Sequence, residues 1–241
     1  MKVRLHSVRK YITDIFLPNR CPACSKLIKW DMLLCSECKS RMHLAADELC
    51  SVCGRNVCSD HSQLAFDNCI ALFYYEQPTI NAIYALKHNK AVNLAEYSAS
   101  LLKKQLEKLG IADKADLVTS VPMSKKKLRK RRYNQAEIIA KCLSQSLDKP
   151  FDAHLLLHSP SLTEHHKLSK ADRVTDAQSS YFPNPKHNAV KGKTVILCDD
   201  VYTTGATVNA CAKCLKQMGA KRVVAVCIAA AKLEERRYGD S

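Results

Sequence analysis

Apolar residues in the C-terminal two-thirds of the chain gather into short, nearly continuous runs separated by longer stretches with helical spacing. CIALFYY (69–75), DLVTSVP (116–122), TVILCDD (194–200) and RVVAVCIA (222–229) are too short for helices, and the last two are rich in β-branched residues. Each predicts a strand, the later ones buried on both faces. Residues 78–89 open on Pro78, a residue suited to a helix start, and place Ile80, Ile83, Tyr84 and Leu86 at helical spacing. Residues 92–109, 134–147 and 205–218 predict three more helices, the last closed by Gly219. Strand, loop, helix, strand is a βαβ unit, so a parallel sheet covered on both faces is expected and the fold class is α/β. Near the start, Val8, Tyr11, Ile12, Ile15 and Phe16 predict a short amphipathic helix ended by Pro18.

The 241 residues are enough for one or two domains with a sizeable core. The longest apolar stretch, residues 223–231, is about half of the roughly 20 residues needed to cross a bilayer, which excludes a spanning helix. The first 21 residues are basic but have no continuous apolar core followed by small residues, so no secretory signal is expected and the expected location is cytoplasmic. Thiols stay reduced there, so the 13 cysteines point to metal or burial rather than disulfides. Eight of them, Cys21, Cys24, Cys35, Cys38, Cys50, Cys53, Cys58 and Cys69, fall in the first 69 residues. This asymmetry divides the chain into a metal-binding module, residues 1–66, and an α/β domain, residues 67–241. Cys142, Cys198, Cys211, Cys214 and Cys227 are scattered through apolar or helical segments and read as small buried hydrophobes, Cys211-x-x-Cys214 included.

Cys21-Pro-Ala-Cys24 and Cys35-Ser-Glu-Cys38 each make a turn that aims two thiolates at one point, and two such turns close a tetrahedral shell. Soft donors with no open position suit structural Zn²⁺. Cys50, Cys53, Cys58 and His61 are candidates for a second site, with Gly54 suited to a knuckle turn. His43 and Cys69 are competing ligands there, and spacing alone also allows pairing between the two sets.

The most informative stretch is VILCDDVYTTGATVNACAKCL (195–215). A strand runs into Asp199 and Asp200, and Thr203, Thr204, Gly205, Ala206 and Thr207 then lead into a helix. Ligands of open α/β sheets sit beyond the carboxyl ends of strands. Free amide groups at the helix start favour an anion, threonine hydroxyls add donors, and Gly205 lets a ligand approach the backbone. Carboxylates accept hydrogen bonds from sugar hydroxyls, so a sugar phosphate satisfies both halves of the loop.

This loop resembles the phosphoribosyl pyrophosphate (PRPP) signature of type I phosphoribosyltransferases. With the cysteine pairs, Leu17-Pro18, Ala85-Leu86-Lys87, Val121-Pro122 and residues 131–135, nearly the whole chain resembles the ComF/GntX family of competence-associated proteins. The resemblance implies a zinc-ribbon-like module before a parallel-sheet, type I phosphoribosyltransferase-like domain, and a role in handling single-stranded DNA during natural transformation. It also implies that Asp199 and Asp200 hold the ribose hydroxyls, that Thr203, Thr204, Gly205, Ala206 and Thr207 cradle the 5′-phosphate, and that Lys87 meets pyrophosphate. Mg²⁺ is expected with PRPP. The chain departs from the family at Arg132, where a glycine is usual, and at Leu162, His165 and Asp176, where Thr, Gln and Asn are expected; Leu168, Ser169 and Arg173 are kept.

Net charge is +15, and Lys125, Lys126, Lys127, Arg129, Lys130, Arg131 and Arg132 place seven cations within eight residues. A solvated surface loop is the plain reading of such a run. Its place after the strand end at Val121-Pro122 favours an anionic partner, and a polyphosphate strand fits. Tyr133 suits stacking on a base, as do Trp30 and His43, or it serves as ordinary core. Three functions are thus expected in order: single-strand handling with PRPP or nucleotide binding; an active phosphoribosyltransferase with Asp199 and Asp200 in the catalytic site; and a zinc-dependent adaptor for a helicase or another DNA-processing protein.

Overall fold

The protein was analysed as a computed structural model, which describes residues 18–58, 60–158, 180–187 and 190–233. The helix predicted over residues 8–16 and the family positions Leu162, His165, Leu168, Ser169, Arg173 and Asp176 lie outside them.

The runs predicted as strands form one four-stranded parallel sheet. Strands β1 (Asn68–Tyr74), β2 (Leu117–Ser120), β5 (Thr194–Tyr202) and β6 (Arg222–Ala230) are ordered β1-β6-β5-β2. Their apolar runs are continuous because both faces are covered. Ile196, Cys198, Val224 and Val226 pack with Leu94, Leu102 and Leu106 of α3 (Val92–Lys108) and with Ile139 and Leu143 of α5 (Gln135–Leu147). Val195, Leu197, Val223 and Ala225 turn to the other face, against Val208, Cys211 and Leu215 of α6 (Ala206–Gln217). Helix α2 (Thr79–His88) follows β1. The later cysteines behave as hydrophobes: Cys198, Cys211, Cys214 and Cys227 are buried and Cys142 is half-buried.

The cysteine-rich segment lies along the free edge of β1. The Ala45 N–H donates to the Leu72 carbonyl at 2.7 Å, and Leu44 bridges Phe73 in antiparallel sense. The Cys69 N–H donates to the Ser51 carbonyl at 3.2 Å. Unpaired edges recruit other chains, and here the module satisfies that edge. Cys21, Leu34, Cys38 and Met42, the last two in and just after the short helix α1 (Ser36–Arg41), share one buried cluster with Ile70 and Leu72, so module and sheet have a common core.

Two elements were not expected from the sequence. The basic run is a helix, α4 (Lys125–Arg131), rather than a loop. The Ser124 hydroxyl caps it by accepting from the Lys127 N–H at 3.3 Å, and Arg132 ends it in the left-handed region, φ 64°. Arg132, at the position where the resemblance led to a glycine being expected, thus takes a conformation that glycine adopts without steric cost. A small antiparallel pair, β3 (Leu156–His158) with β4 (Tyr181–Pro183), packs beside α6, where the Cys214 thiol donates to the Tyr181 carbonyl at 3.3 Å.

The residues after α4 tie strand, helices and loops together. The Tyr133 hydroxyl donates to the Leu86 carbonyl at 2.8 Å and accepts from the Lys90 N–H at 2.9 Å, which anchors the C-terminal end of α2. Buried Asn134 donates from Nδ2 to the Val121 carbonyl at 2.9 Å and accepts from the Ala136 N–H at 3.1 Å as the cap of α5. Asn134→Ala would orphan both partners and is expected to lower stability by about 2 kcal/mol, read from the urea midpoint, with α5 otherwise intact.

Candidate functional site

The structure brings the first eight predicted metal ligands into two separate groups: Cys21, Cys24, Cys35 and Cys38, and Cys50, Cys53, Cys58 and His61. Within each, the ligand atoms lie within 4.8 Å of one another. The Cys24 and Cys35 sulfurs are 3.7 Å apart, and Cys50 Sγ is 3.8 Å from His61 Nε2. Backbone turns aim them: the Ser25 N–H donates to the Cys21 carbonyl at 2.8 Å, and the Gly54 N–H to the Cys50 carbonyl at 2.7 Å. The competing ligands are elsewhere. His43 Nε2 lies 2.5 Å from a Glu48 carboxylate oxygen. Cys69 is buried beneath Gly54, close enough that a Cβ there would sit 2.6 Å from its sulfur. Trp30 is half-buried on the first cluster's loop.

Thiols packed this closely cannot all ionise unaided. Burial raises the Cys21 thiol, but the backbone groups of Cys35, Ala23 and Cys24 outweigh it and leave the group at about 7. Cys38 is driven far up by burial and by the sulfurs of Cys35, Cys24 and Cys21. In the second group burial, reinforced by Cys50, pushes Cys53 up to about 12. A divalent cation removes this mutual repulsion, and a tetrahedral S₄ or S₃N donor set is what Zn²⁺ takes. Both groups therefore fit zinc.

The second site lies beyond the carboxyl ends of the sheet strands. A cleft of about 200 Å³ is lined by Lys87 of α2, Asp199 and Asp200 of β5, Thr207 of α6, Lys127 and Arg131 of α4, Asn134, Gln135 and the β3–β4 residues His158 and Tyr181. Strand β5 runs two residues past the acids to Tyr202, so the acids are fixed by strand pairing with β6 rather than carried on a free loop. Buried Asp200 holds the Lys87 ammonium at 2.5 Å. Asp199 accepts from the Asp200 N–H at 2.9 Å. Burial, and then the charge of Asp200, hold the Asp199 carboxyl well above the usual carboxylate range, with the Asp200 N–H and Lys87 opposing. The acid pair is thus short of positive charge.

Beyond the acids, Thr203 and Thr204 are exposed and the chain turns at Gly205, φ 78°, which is the N-cap of α6. A Cβ on Gly205 would lie 2.4 Å from Tyr202 Oη, so only glycine fits this turn. The Thr204 hydroxyl accepts from the Ala206 N–H at 3.3 Å, and Thr207 in the first turn of α6 lines the cleft. Of the basic run, Lys127 and Arg131 face the cleft, four residues apart on one side of α4. Lys125, Lys126, Arg129, Lys130 and Arg132 are exposed on its other sides, and Tyr133 is held by the α2 contacts described above. Arg55 was missed by sequence reasoning: its guanidinium donates to the Thr204 carbonyl at 2.6 Å from 149 residues away, and nothing in local pattern signals such a contact.

The double zinc ribbon domain family matches residues 12–70, and the phosphoribosyl transferase domain family matches residues 135–240. Competence protein ComFC of Bacillus subtilis is 27% identical over 80% of this chain and 82% of its own. DNA utilization protein YhgH of Escherichia coli is 24% identical over 86% of this chain and 88% of its own. Competence protein F of Haemophilus influenzae is 23% identical over 78% of this chain and 93% of its own. Among the described residues no helix is long and apolar enough to cross a membrane. Two clusters that fit zinc, a sheet domain with an acid pair and a threonine-glycine turn beyond its strand ends, and relatives matched over most of their length lead to one conclusion: the chain carries a double zinc ribbon domain followed by a phosphoribosyl transferase domain, and is similar to the competence and DNA utilization proteins ComFC, YhgH and competence protein F.

Proposed function

We propose that the protein handles single-stranded DNA in natural transformation, in the cytoplasm, and that its phosphoribosyltransferase domain binds PRPP with Mg²⁺ or a related nucleotide. The observation that carries this reading is the shared cleft: Lys127 and Arg131 of the basic helix line the same space as Asp199, Asp200, Lys87 and Thr207. Relatives named for competence and DNA utilization support the DNA half. Thr203–Thr207 receive the 5′-phosphate, Asp199 and Asp200 accept from the ribose hydroxyls, and Lys87 lies where a diphosphate would extend. Hard oxygen donors suit Mg²⁺, and the raised Asp199 carboxyl would gain from a cation that the diphosphate brings with it. The helix α4 takes backbone phosphates, with Tyr133 at its end.

The test is fluorescence anisotropy of a labelled single-stranded oligonucleotide over a range of salt. Each neutralised phosphate contributes about −0.7 to the log–log salt slope, so the Lys127→Ala/Arg131→Ala double variant is expected to bind more weakly with a slope shallower by about 1.4. An unchanged affinity and slope would remove α4 from the interface.

The intact acid pair and Lys87 favour a second reading, an active transferase. An acceptor nucleophile would bond to the anomeric carbon as the bond to pyrophosphate breaks. Pyrophosphate release with Mg²⁺, PRPP and a panel of bases tests it, and no release with any base would count against it.

A further inference from the structure

The second zinc cluster is physically joined to the phosphate loop. The turn that presents Cys50 and Cys53 also fixes Arg55, because the Cys50 N–H donates to the Arg55 carbonyl at 2.9 Å and the Gly54 N–H donates to the Cys50 carbonyl at 2.7 Å. The Arg55 side chain leaves the module, crosses above the Tyr202 ring at 5.9 Å from its centre, and donates from Nη2 to the Thr204 carbonyl at 2.6 Å. Tyr202 is the side chain against which Gly205 turns. The rest of the module's second half grips the same region. Asn56 exchanges two hydrogen bonds with the Leu233 backbone, at 2.9 and 3.0 Å. Beyond His61, the Gln63 carbonyl accepts from Asn209 Nδ2 at 3.0 Å and the Ala65 N–H donates to Asn209 Oδ1 at 2.6 Å, in the first turn of α6. The loop that receives the anion is therefore held on one side by Arg55 and on the other through Asn209, and both holds belong to the chain that wraps the second metal cluster.

We propose that Arg55 is a positioning residue for the phosphate loop, and that through it zinc at the Cys50–Cys53–Cys58–His61 cluster and an anion at residues 203–207 strengthen each other's binding. This rests on the reading of that loop as the phosphate site. A zinc-organised turn holds the guanidinium in place. The guanidinium fixes the Thr204 peptide and sets a positive charge behind the cradle. Without zinc the turn loses its two thiolate anchors, and the Thr204 carbonyl loses its partner. Coupling between two sites is reciprocal, so the ligand must also protect the metal.

The experiment measures both directions on the full-length, zinc-replete protein. Calorimetric titration with PRPP and Mg²⁺ is expected to give about 10-fold weaker binding for Arg55→Ala, with two zinc ions per chain and the melting temperature unchanged. Arg55→Lys, which keeps the charge but not the fork, is expected to fall between. In the unaltered protein, saturating PRPP with Mg²⁺ is expected to slow the release to a colorimetric chelator of one of the two zinc ions, leaving the other at its original rate. That second measurement needs no variant, so it stands even if Arg55→Ala folds poorly. Equal affinity in Arg55→Ala, or identical zinc release with and without ligand, would overturn the coupling while leaving the phosphate site in place. Failure of the unaltered protein to bind PRPP at all would instead overturn the reading beneath it.

Discussion

Gly205→Val is expected to abolish capture of PRPP, raising its dissociation constant by about 100-fold or more, a loss of about 2.7 kcal/mol. Two independent strains meet at this residue. Its φ of 78° lies in the left-handed region, where a side chain costs about 1–2 kcal/mol. An added Cβ would also stand 2.4 Å from Tyr202 Oη and 2.7 Å from Cζ. Tyr202 cannot yield, because it is 1% exposed, its carbonyl accepts from the Ala231 N–H at 2.8 Å, and Arg55 lies over its ring. The turn must therefore swing, which carries Thr204 and the first amides of α6 out of register with each other. Global stability should fall by about 2–4 kcal/mol, within the range for a clash at a special backbone position. Calorimetric titration and a urea midpoint read the two effects separately. Unchanged PRPP affinity would mean that this turn does not contact the ligand.

Cys38→Ser is expected to lower the zinc content from two ions per chain to one and the melting temperature by about 10 °C, which corresponds to about 3 kcal/mol for a chain of this size. Its effect reaches beyond the module. Cys38 is 3% exposed and sits in the same cluster as Leu34, Met42, Ile70 and Leu72. Losing the ion leaves Cys21, Cys24 and Cys35 crowded without a cation, at the point where the module covers the edge of β1. Cys214→Ser, the control on α6, should leave the zinc content at the original value, since Cys214 lies in the core and not in either cluster. Metal release should follow pH in the same sense. The bound form needs thiolates, so lowering the pH through the thiol range favours the proton over zinc and weakens the site.

The parts of this molecule that read directly from sequence are those whose physics is local. Strands β1, β5 and β6 were visible because a sheet covered on both faces demands unbroken apolar runs, and Pro122 and Gly219 marked real ends. The acid pair and Thr203–Thr207 were visible because strand, turn and helix N-terminus follow one another along the chain, and Asp199, Asp200 and Thr207 of that segment line the cleft. Helix α4 was hidden by its own charge. Seven cations in eight residues suggest a loop, yet Ser124 as a cap and the absence of glycine or proline over residues 125–131 were the signals for a helix. The β3–β4 pair was missed because three-residue strands carry no period. The spacing led to the groups Cys21, Cys24, Cys35, Cys38 and Cys50, Cys53, Cys58, His61 but left pairing between the sets open; the fold brings the ligand atoms together within each group. Cys69 looked like a ligand from its position after His61, but its place in β1 turns it beneath Gly54 and beside Cys227. Arg55 could not be found at all by such reading, because its significance comes from a contact across 149 residues.

The central claim is that one cleft serves both the phosphate loop and the basic helix. Displacement of a labelled single-stranded oligonucleotide by PRPP with Mg²⁺, followed by anisotropy at fixed low salt, tests it most directly. The account predicts that the strand binds and that saturating PRPP weakens this binding several-fold, because Lys127 and Arg131 line the same cleft as Asp199, Asp200 and Thr207, which is the site proposed for PRPP. Strand binding that PRPP leaves untouched, with PRPP itself bound, would contradict it by placing the two ligands on separate surfaces.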